Sequence, residues 1–372
     1  MKFVVSSTDL LTRLQVIVRV ASNKSSLPIL DNFLFDVKGN NLTITASDTE
    51  VTMVTTMQLD NVDEEGRLAV PSHKLLEYLK KLPEQPITFY INKETYAIEI
   101  ESSAGKNSQA GLDAQEYPEV PAIDASEART LNISNEALLS AINKTSFATN
   151  TDELRPTLRG ILFDITPDNT TFVATDSHKL VRYIRNDVKA DFTSSFILNK
   201  KPAVILKSIL PKNDELVRID FDSKNAVFTN EFYTVYCRLV EGTFPSYTSV
   251  IPTDNPYKLV VNRADLLNTV SRVSLFADGS ALVKMEMTEN NIAVSSQDLD
   301  FSCSAVENVG CQYMGEPISI GFKSPFLVDI LSNMTATEVI IELSDPSRAG
   351  LIVPFEKNDN EDELMLLMPM KI

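Results

Sequence analysis

The sequence predicts an α+β chain of three pseudo-repeated units, each with two helices packed on antiparallel strands. Three observations carry that expectation. A strand–cap–helix opening recurs, a β-hairpin follows it, and a strand–helix–strand block closes each unit. The opening reads Phe3-Val4-Val5-Ser6-Ser7-Thr8-Asp9-Leu10-Leu11, then Leu131-Asn132-Ile133-Ser134-Asn135-Glu136-Ala137-Leu138-Leu139, then Leu259-Val260-Val261-Asn262-Arg263-Ala264-Asp265-Leu266-Leu267. The Leu-Leu pairs begin at 10, 138 and 266, two equal offsets of 128. Each copy is a short alternating strand, a polar residue suited to cap a helix, and a helix start.

The hairpin block pairs Phe33–Val37 with Leu42–Asp48, Ile161–Ile165 with Thr171–Asp176, and Leu282–Met287 with Ile292–Asp298. Alternating apolar residues around a polar turn give that reading. The closing block carries a second helix, expected at 72–82, 199–211 and 323–334, with a strand on each side. Pro202 and Pro325 fall near helix starts, where a missing N–H costs nothing. The first helices are expected at 8–24, 135–147 and 263–276.

A period near 125 residues is a domain, not a solenoid repeat. Proline-containing stretches, Tyr117-Pro118-Glu119-Val120-Pro121 and Phe244-Pro245 to Pro252, mark the joins, so the domains are expected at 1–122, 123–250 and 251–372.

Composition excludes several classes. Two histidines, His73 and His178, rule out a His-rich metal centre. Cys237, Cys303 and Cys311 form neither C-x-x-C nor an even framework, which fits a reducing cytoplasm and argues against disulfide scaffolds and zinc ribbons. No secretory leader and no apolar run of spanning length is present, so no membrane is expected. Glycine is scarce, 11 of 372 residues, and neither G-x-G-x-x-G nor a P-loop occurs.

Net charge is −17, from 34 basic and 51 acidic residues, which alone argues against a polyanionic partner. The charge is segregated, however. The six helix windows hold thirteen basic residues against five acids, leaving 21 basic and 46 acidic residues elsewhere. Lysine and arginine on solvated helix faces explain part of this. A basic helical surface inside an acidic body is the other explanation, and the repeat favours it, because homologous helices all lean basic.

The carboxyl end, Leu364 to Ile372, is apolar where termini are usually polar. Leu364–Leu367 reads as a last strand, and Met368-Pro369-Met370 as an adaptable apolar surface.

Taken in order over the whole chain, these features resemble the beta subunits of bacterial DNA polymerase III, the sliding-clamp family. The resemblance rests on the three-unit repeat, Leu27-Pro28-Ile29-Leu30, Ala174-Thr175-Asp176-Ser177-His178-Lys179-Leu180, Gly242-Thr243-Phe244-Pro245-Ser246-Tyr247 and Met368-Pro369-Met370-Lys371-Ile372. It implies a DNA clamp fold, closed by a head-to-tail homodimer into a six-domain ring with helices lining the hole. It implies a non-catalytic cytoplasmic protein without cofactor or metal. Such a protein encircles duplex DNA, gives the replicative polymerase processivity, and is opened by a clamp loader. A sliding contact should use Lys and Arg toward phosphates and avoid base readout, since specificity would create sticking points.

Carried over by motif, the DNA-contacting positions are Lys24, His73 with Lys74 beside it, and Arg155; Lys200, Lys201 and Lys207 are added on the second helix of the middle unit. His73 stands where a charged residue is commoner, and Asp152 where a neutral polar one is expected. The implied peptide pocket, for linear motifs of polymerases, clamp loader and repair proteins, is lined by Leu158, Thr175, Ser177, His178, Lys179, Leu180, Pro245, Ser249, Val250, Leu366, Met368, Pro369, Met370 and Ile372. Ser177 and Lys179 depart from the commonest residues there. The implied dimer seam sets Leu275 and Phe276 against the strand of Asn107 and Gln109, polar here where the family is often apolar.

Two other readings fit the residues. One is a protein-binding scaffold without DNA. The other is an acidic-cleft enzyme using Asp36 with Asp48 or Asp164 with Asp176. Because Asp48, Asp176 and Asp298 recur in successive units, a turn role suits them better than a single active site.

Overall fold

The computed structural model describes residues 1–21 and 27–372. Among these the chain is α+β, with helices laid on antiparallel sheets. The six α-helices are α1 (Ser7–Ile17), α2 (Ser72–Leu79), α3 (Asn135–Thr145), α4 (Lys200–Ile209), α5 (Arg263–Val273) and α6 (Ser324–Asn333). The first and third openings are capped as the sequence predicts. Ser6 Oγ accepts the Asp9 amide at 3.3 Å, and Asn262 Oδ1 accepts those of Ala264 and Asp265 at 3.0 and 3.1 Å. Pro325 lies in the first turn of α6. The expected window 8–24 is too long: α1 stops at Ile17, and Val18, Arg19 and Val20 close it with bonds to Leu14, Val16 and Ile17 carbonyls. The run Val16-Ile17-Val18 is β-branched, which weakens helix at that end.

Backbone contacts divide the chain into two compact units, residues 1–135 with 208–239 and residues 136–207 with 240–372. The division passes through the middle repeat. In the first unit a five-stranded sheet runs in the order Asn61–Glu64, Lys2–Ser6, Pro86–Ile91, Ala97–Ser102, Gly105–Ala110. An eight-stranded sheet joins two repeats, because Tyr233–Arg238 pairs with Val51–Gln58, from Tyr233 opposite Thr55 to Cys237 opposite Val51. Phe3 stacks on Phe89 with ring centres 4.8 Å apart, and Leu10, Leu14 and Ile17 of α1 are fully buried.

The second unit holds a twelve-stranded sheet. Its continuity depends on Lys179–Arg185 pairing with Glu361–Leu367, from Lys179 opposite Leu367 to Arg185 opposite Glu361. Leu266, Val270 and Val273 of α5 and Leu327, Ile330 and Leu331 of α6 share one core with Met285, Ile320, Met365 and Leu367.

The recurrent aspartates close turns. Asp48 Oδ1 accepts the amides of Glu50 and Val51 at 3.0 and 2.7 Å. Asp176 Oδ1 accepts those of His178 and Lys179, both at 2.9 Å, and Asp298 Oδ1 those of Asp300 and Phe301. Asp36 lies by Lys38 and Arg67, and Asp164 accepts the Tyr247 hydroxyl at 3.1 Å. These are turn and surface contacts, which removes the observation behind the enzyme reading.

Gly160 starts a strand at a point of close approach. A Cβ there would lie 2.6 Å from both Ile197 Cγ2 and the Leu198 carbonyl oxygen. Gly160→Ala should therefore destabilise the fold by about 1–3 kcal/mol, read as a lower urea midpoint at unchanged slope.

Candidate functional site

The second unit brings most of the expected pocket residues together. Leu158, on the turn Pro156–Arg159, joins Leu180, Leu366 and Phe244 in one buried apolar cluster. Leu180 and Leu366 face each other in the ladder just described. Above this floor runs the turn from Thr175 to Lys179. Thr175 Oγ1 donates to the Lys179 carbonyl at 2.7 Å, and Ser177 holds a left-handed backbone at φ +78°. The Met368 amide donates to the His178 carbonyl at 2.9 Å, which ties the last residues to this turn. Met370 then donates to the Gly321 carbonyl at 2.8 Å. Met368, Val250 and Ile372 stay exposed, so an apolar rim stands over an apolar floor.

Pro245, Ser249 and Val250 lie on the segment around the turn Tyr247–Val250; Ser249 Oγ donates to the Ser246 carbonyl at 2.8 Å. Tyr247 packs on the floor cluster. Its hydroxyl pKa is pushed up to about 12 by burial and by the Asp164 carboxylate it bonds.

Lys179 is the unexpected member. Its side chain is only 5% exposed and bridges Asp176 at 2.8 Å and Asp329 of α6 at 3.3 Å. The ammonium also sits 4.5 Å from the centre of the Phe326 ring, which stacks on His178 at 5.3 Å. Lys179 therefore pins the turn to α6 and offers no free charge to a ligand. Arg155, placed by sequence with the DNA contacts, donates to Ser177 Oγ at 2.8 Å and lies 3.9 Å from Asp152. In the structure it belongs to the rim of the pocket.

The basic helices are less basic than their composition. Lys144 is held by Glu361 at 3.0 Å and Glu363 at 2.8 Å, Lys80 by Glu77 at 2.7 Å, and Arg272 by Glu307. Arg13 lies over the Phe232 ring, and Arg263 donates to the Ala336 and Leu331 carbonyls. Lys74 on α2 and Lys207 on α4 are exposed, with no carboxylate at ion-pair distance among the described residues. On α4, Pro202, Ala203, Ile205 and Leu206 are buried, so Lys201, Val204 and Lys207 share the outer face, with Lys200 half-buried. Lys24 lies outside the described residues.

His73 and Lys74 open α2 and line a cavity of about 590 Å³ with Asn107 and Gln109 of the edge strand Gly105–Ala110. Positions assigned by sequence to DNA and to the seam are thus neighbours. Leu275 and Phe276 form the turn Ser274–Phe276 after α5, 80% and 42% exposed.

Three consecutive segments match one family. Residues 1–121, 132–246 and 248–371 match the N-terminal, central and C-terminal domains of the DNA polymerase III beta subunit. The chain belongs to the DNA polymerase III beta-subunit family. Beta sliding clamps from Vibrio cholerae and Bacillus subtilis are each 26% identical to it, and each alignment covers both proteins entirely. The crystal structure of the Pseudomonas aeruginosa DNA polymerase III subunit beta superposes with a TM-score of 0.94 at 25% identity, covering both chains entirely. Membership makes the chain a beta sliding clamp by family, a non-catalytic accessory subunit that confers processivity on DNA polymerase III.

Within this beta-subunit chain, sequence reasoning missed three positions. Phe326 and Lys323 stand at the pocket rim, Lys323 with its ammonium 5.2 Å from the Phe326 ring centre. Gly321 receives the last residues. All three come from the block before and within α6, whose apolar spacing reads only as core. The strand–proline–aromatic sequence Lys323-Ser324-Pro325-Phe326 is the one signal available. A Cβ on Gly321 would lie 3.0 Å from the Met370 carbonyl oxygen and 3.2 Å from Ile372 Cγ1. Gly321→Val should release residues 368–372, seen as lost amide-exchange protection at Met370 and faster carboxypeptidase trimming, with the rest of the fold retained.

Proposed function

We propose that the chain works as a ring. Two copies, joined head to tail, close six domains (1–122, 123–250 and 251–372 from each) around duplex DNA, with the helices toward the hole. The observation that carries this reading is threefold repetition of one domain along the full chain, matched in order by one family. Exposed lysines such as Lys74, Lys201 and Lys207, with Lys200 beside them, supply a sequence-independent attraction to phosphates, joined by Lys24, His73 and Arg155 at the positions matched by motif. The acidic remainder discourages binding of DNA from outside, so loading needs a clamp loader. This work takes place in the bacterial cytoplasm, on the nucleoid.

The pocket of the second unit takes short linear motifs of polymerases, clamp loader and repair proteins. An apolar floor of Leu158, Leu180 and Leu366 under a rim of Met368, Pro369 and Met370 suits Leu or Phe anchors. The seam joins the edge strand Gly105–Ala110, hydrogen-bonded on one side only, to the Leu275–Phe276 region of a second copy. With Asn107 and Gln109 there, less apolar area is buried and the ring is weaker than an apolar seam would make it.

Loading on nicked circular DNA tests the ring. The protein should stay on the circle and slide off once the DNA is linearised; equal retention on both overturns the reading. Met370→Ala and deletion of 368–372 should abolish polymerase stimulation and leave dimerisation intact. Sedimentation at nanomolar protein should show dissociation, and a dimer that persists there contradicts the weak seam.

A further inference from the structure

The pocket of the second unit is apolar at its floor, yet one side of its rim carries an unanswered cation. Lys323 ends the strand Ile318–Lys323 and stands opposite Leu282 in the ladder. Strand side chains two residues apart share a face. A Cβ on Gly321 would meet Met370 and Ile372, so Lys323 emerges on that side, next to the last residues of the rim. The Ser324 amide and hydroxyl both donate to the Ala281 carbonyl, at 2.8 and 3.0 Å, which holds the backbone in place there.

This lysine is unfavourable where it stands. It occupies the cap position of α6 and its side chain makes no capping hydrogen bond. Ser6 and Asn262 fill the same position on α1 and α5 with side chains that accept amides. A cation at this end also opposes the helix dipole. The ammonium lies 5.2 Å from the Phe326 ring centre on an exposed residue, with no carboxylate at ion-pair distance among the described residues. A residue that breaks two local rules with no gain inside the chain marks a place shaped by something outside it.

The neighbouring charges fix the sign and the side. Asp176 and Asp329 are both held by the buried Lys179, one lysine against two carboxylates, and Asp329 is half-exposed. Lys179 also touches the Phe326 ring, so the ring stands between a free cation and a group of net negative charge. Across the turn, Arg155 is already answered by Ser177 and by Asp152. A ligand laid over the Phe326–His178 stack therefore meets an unpaired positive charge on the Lys323 side alone.

We propose that Lys323 makes the pocket selective for linear motifs with an aspartate or glutamate next to the apolar anchor. The carboxylate rests on Lys323 and the anchor on Phe326, His178 and Met370. The proposal rests on the reading of this pocket as a linear-motif site.

Two labelled peptides test it. Both carry one Leu-Phe anchor, flanked on each side by aspartate in the first and by asparagine in the second. Fluorescence anisotropy at physiological ionic strength, which screens the overall charge of −17, should show the acidic peptide binding the full chain about threefold tighter or more. Lys323→Gln should bring the ratio of the two affinities to one, and Lys323→Glu should invert it. Because a ratio is read, a general loss of binding does not imitate either result. Equal affinities for the unaltered chain, or an unchanged ratio in both variants, overturn the proposal and leave the pocket reading intact. Binding of neither peptide overturns both. A single-stranded oligonucleotide of matched charge that displaces the acidic peptide better than the unlabelled acidic peptide does also overturns the proposal, in favour of a nucleic-acid ligand.

Discussion

The ladder between Lys179–Arg185 and Glu361–Leu367 is the constraint on which the second unit depends. It joins strands that lie about 180 residues apart in the chain, and it makes one sheet of what would otherwise be two edges. One face of Glu361–Leu367 gives Met365 and Leu367 to the core under α5 and α6, and the other gives Leu364 and Leu366 to the pocket floor. A one-residue slip would exchange those faces. At the far end of the ladder, Lys144 between Glu361 and Glu363, with Tyr183 Oη donating to Glu361 at 2.6 Å, fixes α3 on the same strand. Burial raises the Glu363 carboxyl against the pull of Lys144, while the two carboxylates hold the Lys144 ammonium protonated above its ordinary range and Glu361 stays ionised below its own, so the ion pair is kept despite the cost of burying Glu363.

Much of this is legible in the sequence. The 128-residue offset places the helices and hairpins because a duplicated domain repeats its caps, its alternation and its turn residues together. Asp48, Asp176 and Asp298 read as turn residues and are turn residues. What periodicity cannot supply is pairing between repeats. Sequence treats each repeat as a closed unit, yet Tyr233–Arg238 and Lys179–Arg185 both pair outward, and the compact units divide the middle repeat. Pairing partners are non-local, and nothing in the alternation of Tyr233 to Arg238 names Val51–Gln58 as the neighbour.

Charge was legible only as an inventory. Counting thirteen basic helical residues treats them alike, but a lysine's reach decides what it does. Lys144 and Lys179 turn inward to carboxylates contributed by Glu361–Glu363 and Asp329, each more than a hundred residues away in sequence, whereas Lys74 and Lys207 point to water. A buried lysine between carboxylates adds rigidity and almost no outward field. The attraction available to a polyanion is therefore smaller than the helical excess, and more local. A surface that must hold DNA and still slide is served by few, exposed, independent charges.

Why only one of the repeated joins becomes a pocket follows from what comes after the ladder. In both units the chain makes the same tie at its end: Arg238 donates to the Glu50 carbonyl at 2.8 Å, as Met368 does to His178 at 2.9 Å. Beyond that tie the first unit turns back, with Leu239 donating to the Lys224 carbonyl of its own hairpin. The second unit instead crosses to Gly321 through Met370, leaving Met368 and Ile372 exposed beside the turn. The turn residues differ in the same sense. Glu50 and Val51 stand where the second unit has His178 and Lys179, and neither can stack an aromatic ring or bridge two aspartates. Duplication supplied the ladder twice; a different exit from it and two side chains turned one copy into an apolar groove.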